Sequence, residues 1–344
     1  MASTRRSNAR LHLSGGVGIV VTVLLLWWVL HDVSFGEIWR DVRDARWGWL
    51  LAAAGCATLT FPLRTVRWRL LLRYEGAPLP FGPLWHATAI GFMANNLLPA
   101  RAGEVARAYA AARLTGVRFT TAFASIAVER IFDALVLLAL LVAGLLAGGF
   151  GTSTLIGGIP VGRLVSAGAG LFGGMLVAAL IVVRWPGPMT RLARRVTHAI
   201  LPQRFADRVL ALLDGLLDGL TALRAPGRFF GVVAWSLVLW LTNALSFQLA
   251  FVAFGLSLPV GAALVLQGVL AFGVALPSSP GFFGVFEGAT RAALALYGVA
   301  AAAAVSYAIG YHLTGFIPIT VLGLWSLWRA NLQLSELRDD GMTG

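Results

Sequence analysis

The sequence predicts an all-α polytopic membrane protein: about six full transmembrane helices plus two re-entrant helix–break–helix hairpins in an inverted-topology repeat. Three observations carry that expectation. Hydrophobic residues fill 58% of 344 positions and charged residues only 12%, against about 25% charged in an ordinary soluble domain. The apolar runs are continuous rather than alternating, which excludes a β-barrel. Two Leu-Pro breaks, far apart and each followed by a Glu–Arg pair, interrupt apolar sequence. Broken helices with ionisable groups at membrane depth are the consequence, and such groups are retained at a cost that calls for a function.

The net charge of +12 comes from 27 arginines and no lysine, a bias typical of a G- and C-rich genome. Basic residues here orient the chain and attract anionic headgroups; nothing in the pattern points to nucleic acid. Cys56 is the only cysteine, so no intrachain disulfide forms.

Taken in order, the first apolar run, 13–30, follows Arg5, Arg6 and Arg10. It is read as a retained span, because His31-Asp32-Val33-Ser34 offers no small-residue cleavage site. Residues 33–46 are amphipathic, carry Trp39 and suit the interface. A second span, 47–63, ends at Arg64, Arg67 and Trp68, expected as headgroup anchors that snorkel, with phosphate binding as the other reading. Residues 81–116 form the first hairpin, its arms short of the roughly 20 residues a crossing needs. Spans at 119–147 and 163–183 follow, joined by the Gly-rich 148–162. The connector 184–228 holds eight arginines and reads as an amphipathic helix on the cytoplasmic surface. Span 229–254, hairpin 260–297 and span 300–327 complete the chain. If the six spans alternate, every arginine-rich connection falls on one side, which places both termini in the cytoplasm. The expected location is the bacterial cytoplasmic (inner) membrane.

The order span, hairpin, span describes both 47–147 and 229–327, with the hairpins entering from opposite faces. That is the organisation by which transporters open alternately to each side.

The chemistry-bearing groups cluster at the breaks. Asn95 and Asn96 precede the first, Arg101 lies in it, and Glu104 and Arg107 sit one helical turn apart beyond it, placed to pair. Ser278 and Ser279 occupy the second break, with Glu287 and Arg291 at i,i+4 after it. Within 119–147, Glu129 and Asp133 share a face at i,i+4 and Arg130 can reach Asp133 at i,i+3; a self-neutralising lock, a proton-coupled site and a partner for Arg101 or Arg291 all remain open there. The bland alternative throughout is that these side chains only staple broken helices. Tyr307, Tyr311 and His312 in the last span read as hydrogen-bonded packing. Catalysis is not expected: an intramembrane serine protease would have to use Ser278 or Ser279 with His312 and lacks a glycine-flanked serine. No zinc, paired-aspartyl or Walker A motif occurs, and five scattered histidines build no metal site. No cofactor is implied.

From Asn95 to Arg107 the sequence resembles the transmembrane region of bacterial lysylphosphatidylglycerol synthases, the flippase-like domain family. The Arg64-Thr65-Val66-Arg67-Trp68 stretch, Glu129-Arg130 with Asp133, and Leu276-Pro277-Ser278-Ser279-Pro280-Gly281 through Glu287 are similar to it as well. The resemblance covers about 11–330 and implies a lipid translocation domain with paired hairpins. No soluble aminoacyl-transfer domain follows before Gly344, so lipid aminoacylation is not carried over.

The function expected is a flippase that moves an anionic or phosphate-bearing membrane lipid between leaflets. Arg101 and Arg107 from one hairpin and Arg291 from the other would hold the headgroup, with Glu104 and Glu287 pairing them when the site is empty. The alternatives are a non-transporting scaffold that docks an envelope-synthesis enzyme, and a small-solute secondary transporter.

Overall fold

The computed structural model describes residues 20–74, 77–98, 102–200, 203, 210, 225–275 and 279–333. Helix α1 (Val20–Leu30) turns through 80° into α2 (Phe35–Asp44). The Ser34 hydroxyl accepts the Glu37 amide at 3.2 Å and so starts α2. Ile38 is buried while Phe35 and Trp39 are exposed, the two-faced character read from 33–46.

Helix α3 (Trp47–Leu71) is 25 residues long and passes through Pro62 unbroken. It runs about two turns beyond the expected end at 63, and that extension turns out to carry the site. A two-residue hairpin, β1 (Arg73–Tyr74) with β2 (Ala77–Pro78), leads to α4 (Phe81–Leu97), a break, and α5 (Gly103–Thr115). Helix α6 (Phe119–Ala147) and a second small hairpin, β3 (Leu155–Ile156) with β4 (Ile159–Pro160), precede α7 (Val161–Arg184) and α8 (Pro186–Ile200). Of the surface helix expected over 184–228, the first part is described as α8, while 201–202, 204–209 and 211–224 lie outside the described residues.

The second half repeats the order. Helix α9 (Pro226–Ala253) is followed by α10 (Val260–Ala275), a break ending in the 3-10 turn Pro280–Phe282, α11 (Val285–Ala295) and α12 (Ala301–Arg329). Helices α3, α6, α7, α9 and α12 are long and apolar enough to cross a membrane, and α1 with α2 makes a sixth candidate. The hairpin arms have 17, 13, 16 and 11 residues, so at 1.5 Å per residue each falls short of a hydrocarbon core of about 30 Å.

Packing in the two halves matches element by element. Helix α3 lies along α9; α4 packs on α12 as α10 packs on α6; α5 meets α6 as α11 meets α12; and α3 touches α12 as α9 touches α6. Small residues let the equivalent crossings close. A side chain at Gly261 of α10 would run into Ala147 and Gly148 beside α6, and one at Gly323 of α12 into Met93 of α4. One core gathers Trp68, Leu84, Ile90, Met93 and the alanines of α5; the other gathers Phe247, Phe251, Leu266, Leu294 and Tyr307.

Candidate functional site

The two breaks are held by the chain itself. Asn95 Oδ1 accepts the Gly103 amide at 2.9 Å, supplying one of the partners that the first turn of α5 lacks. Asn96 Nδ2 donates to Thr320 Oγ1 at 2.8 Å and to the Phe316 carbonyl at 3.3 Å, tying the first break to α12. Gly103 must be glycine because a Cβ there would overlap the Gly91 carbonyl and the Asn95 side chain. Arg101 lies outside the described residues, as does Ser278. In the second break, the Ser279 amide donates to Thr22 Oγ1 of α1 at 3.1 Å. Gly281, Phe282 and Gly284 take φ of +71°, +63° and +80°, a left-handed turn that aims α11 back towards α12.

The charged groups form a buried cluster where α3, α5, α6 and α9 meet. Arg107 of α5 grips Glu129 of α6 with both ends of its guanidinium, Nη1 to Oε1 at 2.9 Å and Nη2 to Oε2 at 3.1 Å. Arg67 of α3 bonds Asp133 Oδ1 at 2.5 Å and Ser236 Oγ of α9 at 2.9 Å, and its Nη2 stands 3.1 Å from Glu129 Oε1. Arg130 bridges Glu129 at 2.7 Å and Asp133 at 3.1 Å. Arg64 reaches Asp133 Oδ2 at 3.6 Å, and Trp240 Nε1 donates to Asp133 Oδ1 at 2.8 Å. Indole faces support the cations: Arg107 lies 3.9 Å over Trp68, whose Nε1 donates to Ser125 Oγ, and Arg64 lies 4.8 Å over Trp240.

Four guanidiniums thus face two carboxylates, and they still outnumber the acids when Glu104, which attracts Arg130, is counted. Burial makes the imbalance expensive. Arg64 Nε, Arg67 Nε and Arg107 Nε are enclosed and have no hydrogen-bond acceptor. Arg64 Nη1 and Arg67 Nη2 meet Asp133 Oδ2 and Glu129 Oε1 only as ion pairs, at 3.6 and 3.1 Å, and Asp133 Oδ2 accepts no hydrogen bond either. Arg130, whose side chain is 43% exposed, is the cluster's outlet.

Several sequence-based pairings change here. Arg64, Arg67 and Trp68 are not snorkelling headgroup anchors: they are 7%, 0% and 0% exposed, because α3 continues past residue 63 and turns that face inward. Arg107 pairs with Glu129 rather than Glu104, since α5 packs its buried face on α6. Glu129 and Asp133 find their partners in Arg64, Arg67 and Arg107 rather than in Arg291. Arg291 does not pair with Glu287 either. It reaches Asp32 with two bonds of 2.7 and 2.6 Å and the carbonyls of Trp28 and Val29, the last open turn of α1. The hydrogen bonds from Arg291 hold the Asp32 carboxyl below the usual carboxylate range. Glu287 instead accepts the Gly284 amide at 2.6 Å and pairs with His312 Nδ1 at 2.6 Å. The structure therefore assembles two separate polar centres and does not bring Arg291 to Arg107. Ser236 and Trp240 escape a sequence reading, since nothing local distinguishes them from ordinary residues of an apolar span. Among the described residues, no group of three His, Cys, Asp or Glu side chains converges as a metal site would require.

Long apolar helices, two pairs of short arms meeting at braced breaks, and a buried basic cluster define a multi-pass membrane protein with an internally matched core. The chain belongs to the family described as lysylphosphatidylglycerol synthase TM region, whose model matches residues 16–323. It is 30% identical to a protein of Haloferax volcanii named glycosyltransferase AglD, over 92% of this chain and 54% of that protein. It therefore spans about half the length of that relative. Two proteins of Methanothermobacter thermautotrophicus, each named UPF0104 membrane protein, are 24% and 22% identical. The first match covers 89% of both chains and the second 93% of both. No solved structure matches.

Proposed function

We propose that this protein is a carrier rather than a catalyst, moving a phosphate-bearing lipid between the leaflets of a bacterial cytoplasmic membrane with both termini in the cytoplasm. The observation that carries the reading is the excess of buried guanidinium over carboxylate around Arg64, Arg67 and Arg107, with enclosed N–H groups that have no acceptor. A phosphate offers the charge and the several acceptor oxygens such a set lacks. Arg130 supplies the entrance, and exchange of Glu129 or Asp133 for the incoming anion is the binding event. The matched packing of α3–α6 and α9–α12 supports an inverted repeat whose halves rock about the α3–α9 contact, with the short arms as re-entrant hairpins. Asn95, Asn96 and Ser279 brace the moving breaks in this scheme, and Arg101 and Ser278, outside the described residues, are further candidates for headgroup contact.

Reconstitution in vesicles with fluorescent anionic lipids tests the proposal, the expected result being transfer that falls at least tenfold in R64Q and R130Q. Transfer no faster than in protein-free vesicles, or unchanged in both variants, defeats it. A scaffold for an envelope-synthesis enzyme is the second reading. It is favoured by the match to about half of a protein named a glycosyltransferase, and it predicts that both variants keep their partners in pull-down while no lipid moves.

A further inference from the structure

The buried carboxylates of this protein differ in the kind of partner they have. Glu129 and Asp133 are surrounded by guanidiniums, which stay protonated in proteins, so neither acid has reason to take up a proton. Glu287 is different. Its Oε1 pairs with His312 Nδ1 and its Oε2 accepts the Gly284 amide, so one carboxylate links the tip of the second break to the last span. Imidazole is the one side chain whose ordinary titration falls between about pH 5 and 8. His312 is packed between Phe286 and Phe283, at 4.3 and 4.8 Å between ring centres. Beside the pair lies a cavity of about 220 Å3, walled by Leu26, Val29 and Leu30 of α1 and by Ile309 and Leu313 of α12.

We propose that Glu287 and His312 form a proton-binding site, and that loss of its proton releases α11 from α12. With the proton present, imidazolium and carboxylate neutralise each other inside an apolar wall. Without it, the pair carries one buried negative charge, which low-dielectric surroundings penalise. The adjoining cavity gives α11 room to move, and the Gly284 amide ties that movement to the break. Among the described residues of the elements packed against the pair, the other ionisable groups have partners of their own. On α11 itself, Arg291 is occupied by Asp32 and the α1 carbonyls. His31, at the end of α1, stands 3.7 Å from Asp32. Asp41 of α2 accepts from Ser306, Tyr311 of α12 is bonded to Ser246, and α10 contains no ionisable residue. That the released arm serves lipid movement rests on the function proposed above; the proton site does not.

Hydrogen–deuterium exchange of the full chain in lipid nanodiscs, corrected for intrinsic rates, tests the latch on peptides covering 285–295. Protection is expected to fall at least tenfold as pH rises from about 5 to 8, to lose that dependence in E287Q and H312Q, and to keep it in H31Q. Protection that is flat in the wild type, or whose pH dependence disappears in H31Q, overturns the proposal. If H312Q does not fold, infrared spectra of wild type carrying ring-labelled histidine read the imidazole directly. A histidine band that titrates in step with protection upholds the site, and no band that does so overturns it. Absence of lipid transfer alongside a titrating latch defeats the transport reading alone.

Discussion

Replacing Glu129 with glutamine is the sharpest test of the buried cluster. The side chain keeps its length and one acceptor oxygen but loses the charge that Arg107 grips at 2.9 and 3.1 Å and that Arg67 and Arg130 approach at 3.1 and 2.7 Å. Asp133 is then left to neutralise four guanidiniums, three of them enclosed. Removing one member of a buried ion pair costs about 3–5 kcal/mol, because the other stays buried and uncompensated. At about 1.4 kcal/mol per factor of ten, E129Q should shift the unfolding equilibrium by roughly two to four powers of ten. Arg130 sits on the same two acids but is 43% exposed, so R130A should cost no more than about 1 kcal/mol. Equilibrium unfolding of the two purified variants in bicelles, by steric trapping, measures both. The argument fails if E129Q lies within about 1 kcal/mol of wild type, or if R130A is the costlier change. Replacing Arg107 and Glu129 together by leucine should recover most of the stability, since a well-packed apolar pair is often neutral or better. Anion binding would not return with it.

Further outcomes follow from the same packing. G103A should destabilise by about 1–3 kcal/mol, since its Cβ collides with the Gly91 carbonyl and forces α4 and α5 apart; limited proteolysis at the first break would report it. G55A in α3 meets open space and should instead stabilise by about 0.5–1 kcal/mol in the same unfolding assay. S125A removes the acceptor for Trp68 Nε1 and should cost about 1–3 kcal/mol, with a shift in tryptophan fluorescence. Because the guanidinium of Arg291 holds the Asp32 carboxyl below its usual range, that link is present at neutral pH and weakens as acid protonates Asp32. Protection of the α1–α2 turn in hydrogen exchange should fall below about pH 4 in wild type, and should be low at every pH in D32N.

Much of the architecture is legible from local pattern. Long apolar runs mark α6, α9 and α12 within a few residues, the Leu-Pro breaks mark the hairpins, and the amphipathic stretch 33–46 marks α2. Burial in a bilayer is a property of each run by itself, so a single stretch suffices to recognise it. The partners of the charges are another matter. Glu104 and Arg107 satisfy the spacing rule for a helical pair, as do Glu287 and Arg291, yet both arginines reach across to other elements. Arg64, Arg67 and Trp68 look like the end of a span because charge normally marks the water boundary. The exception arises because α6 brings Glu129 and Asp133, and α9 brings Ser236, to meet them. Helix, break and span were thus determined by the sequence alone, through hydrophobicity and backbone stereochemistry acting over a few turns. Which cation meets which anion was decided only by tertiary packing. A buried charge selects the partner that best offsets its desolvation, and for Arg67 that partner, Asp133, lies 66 residues away.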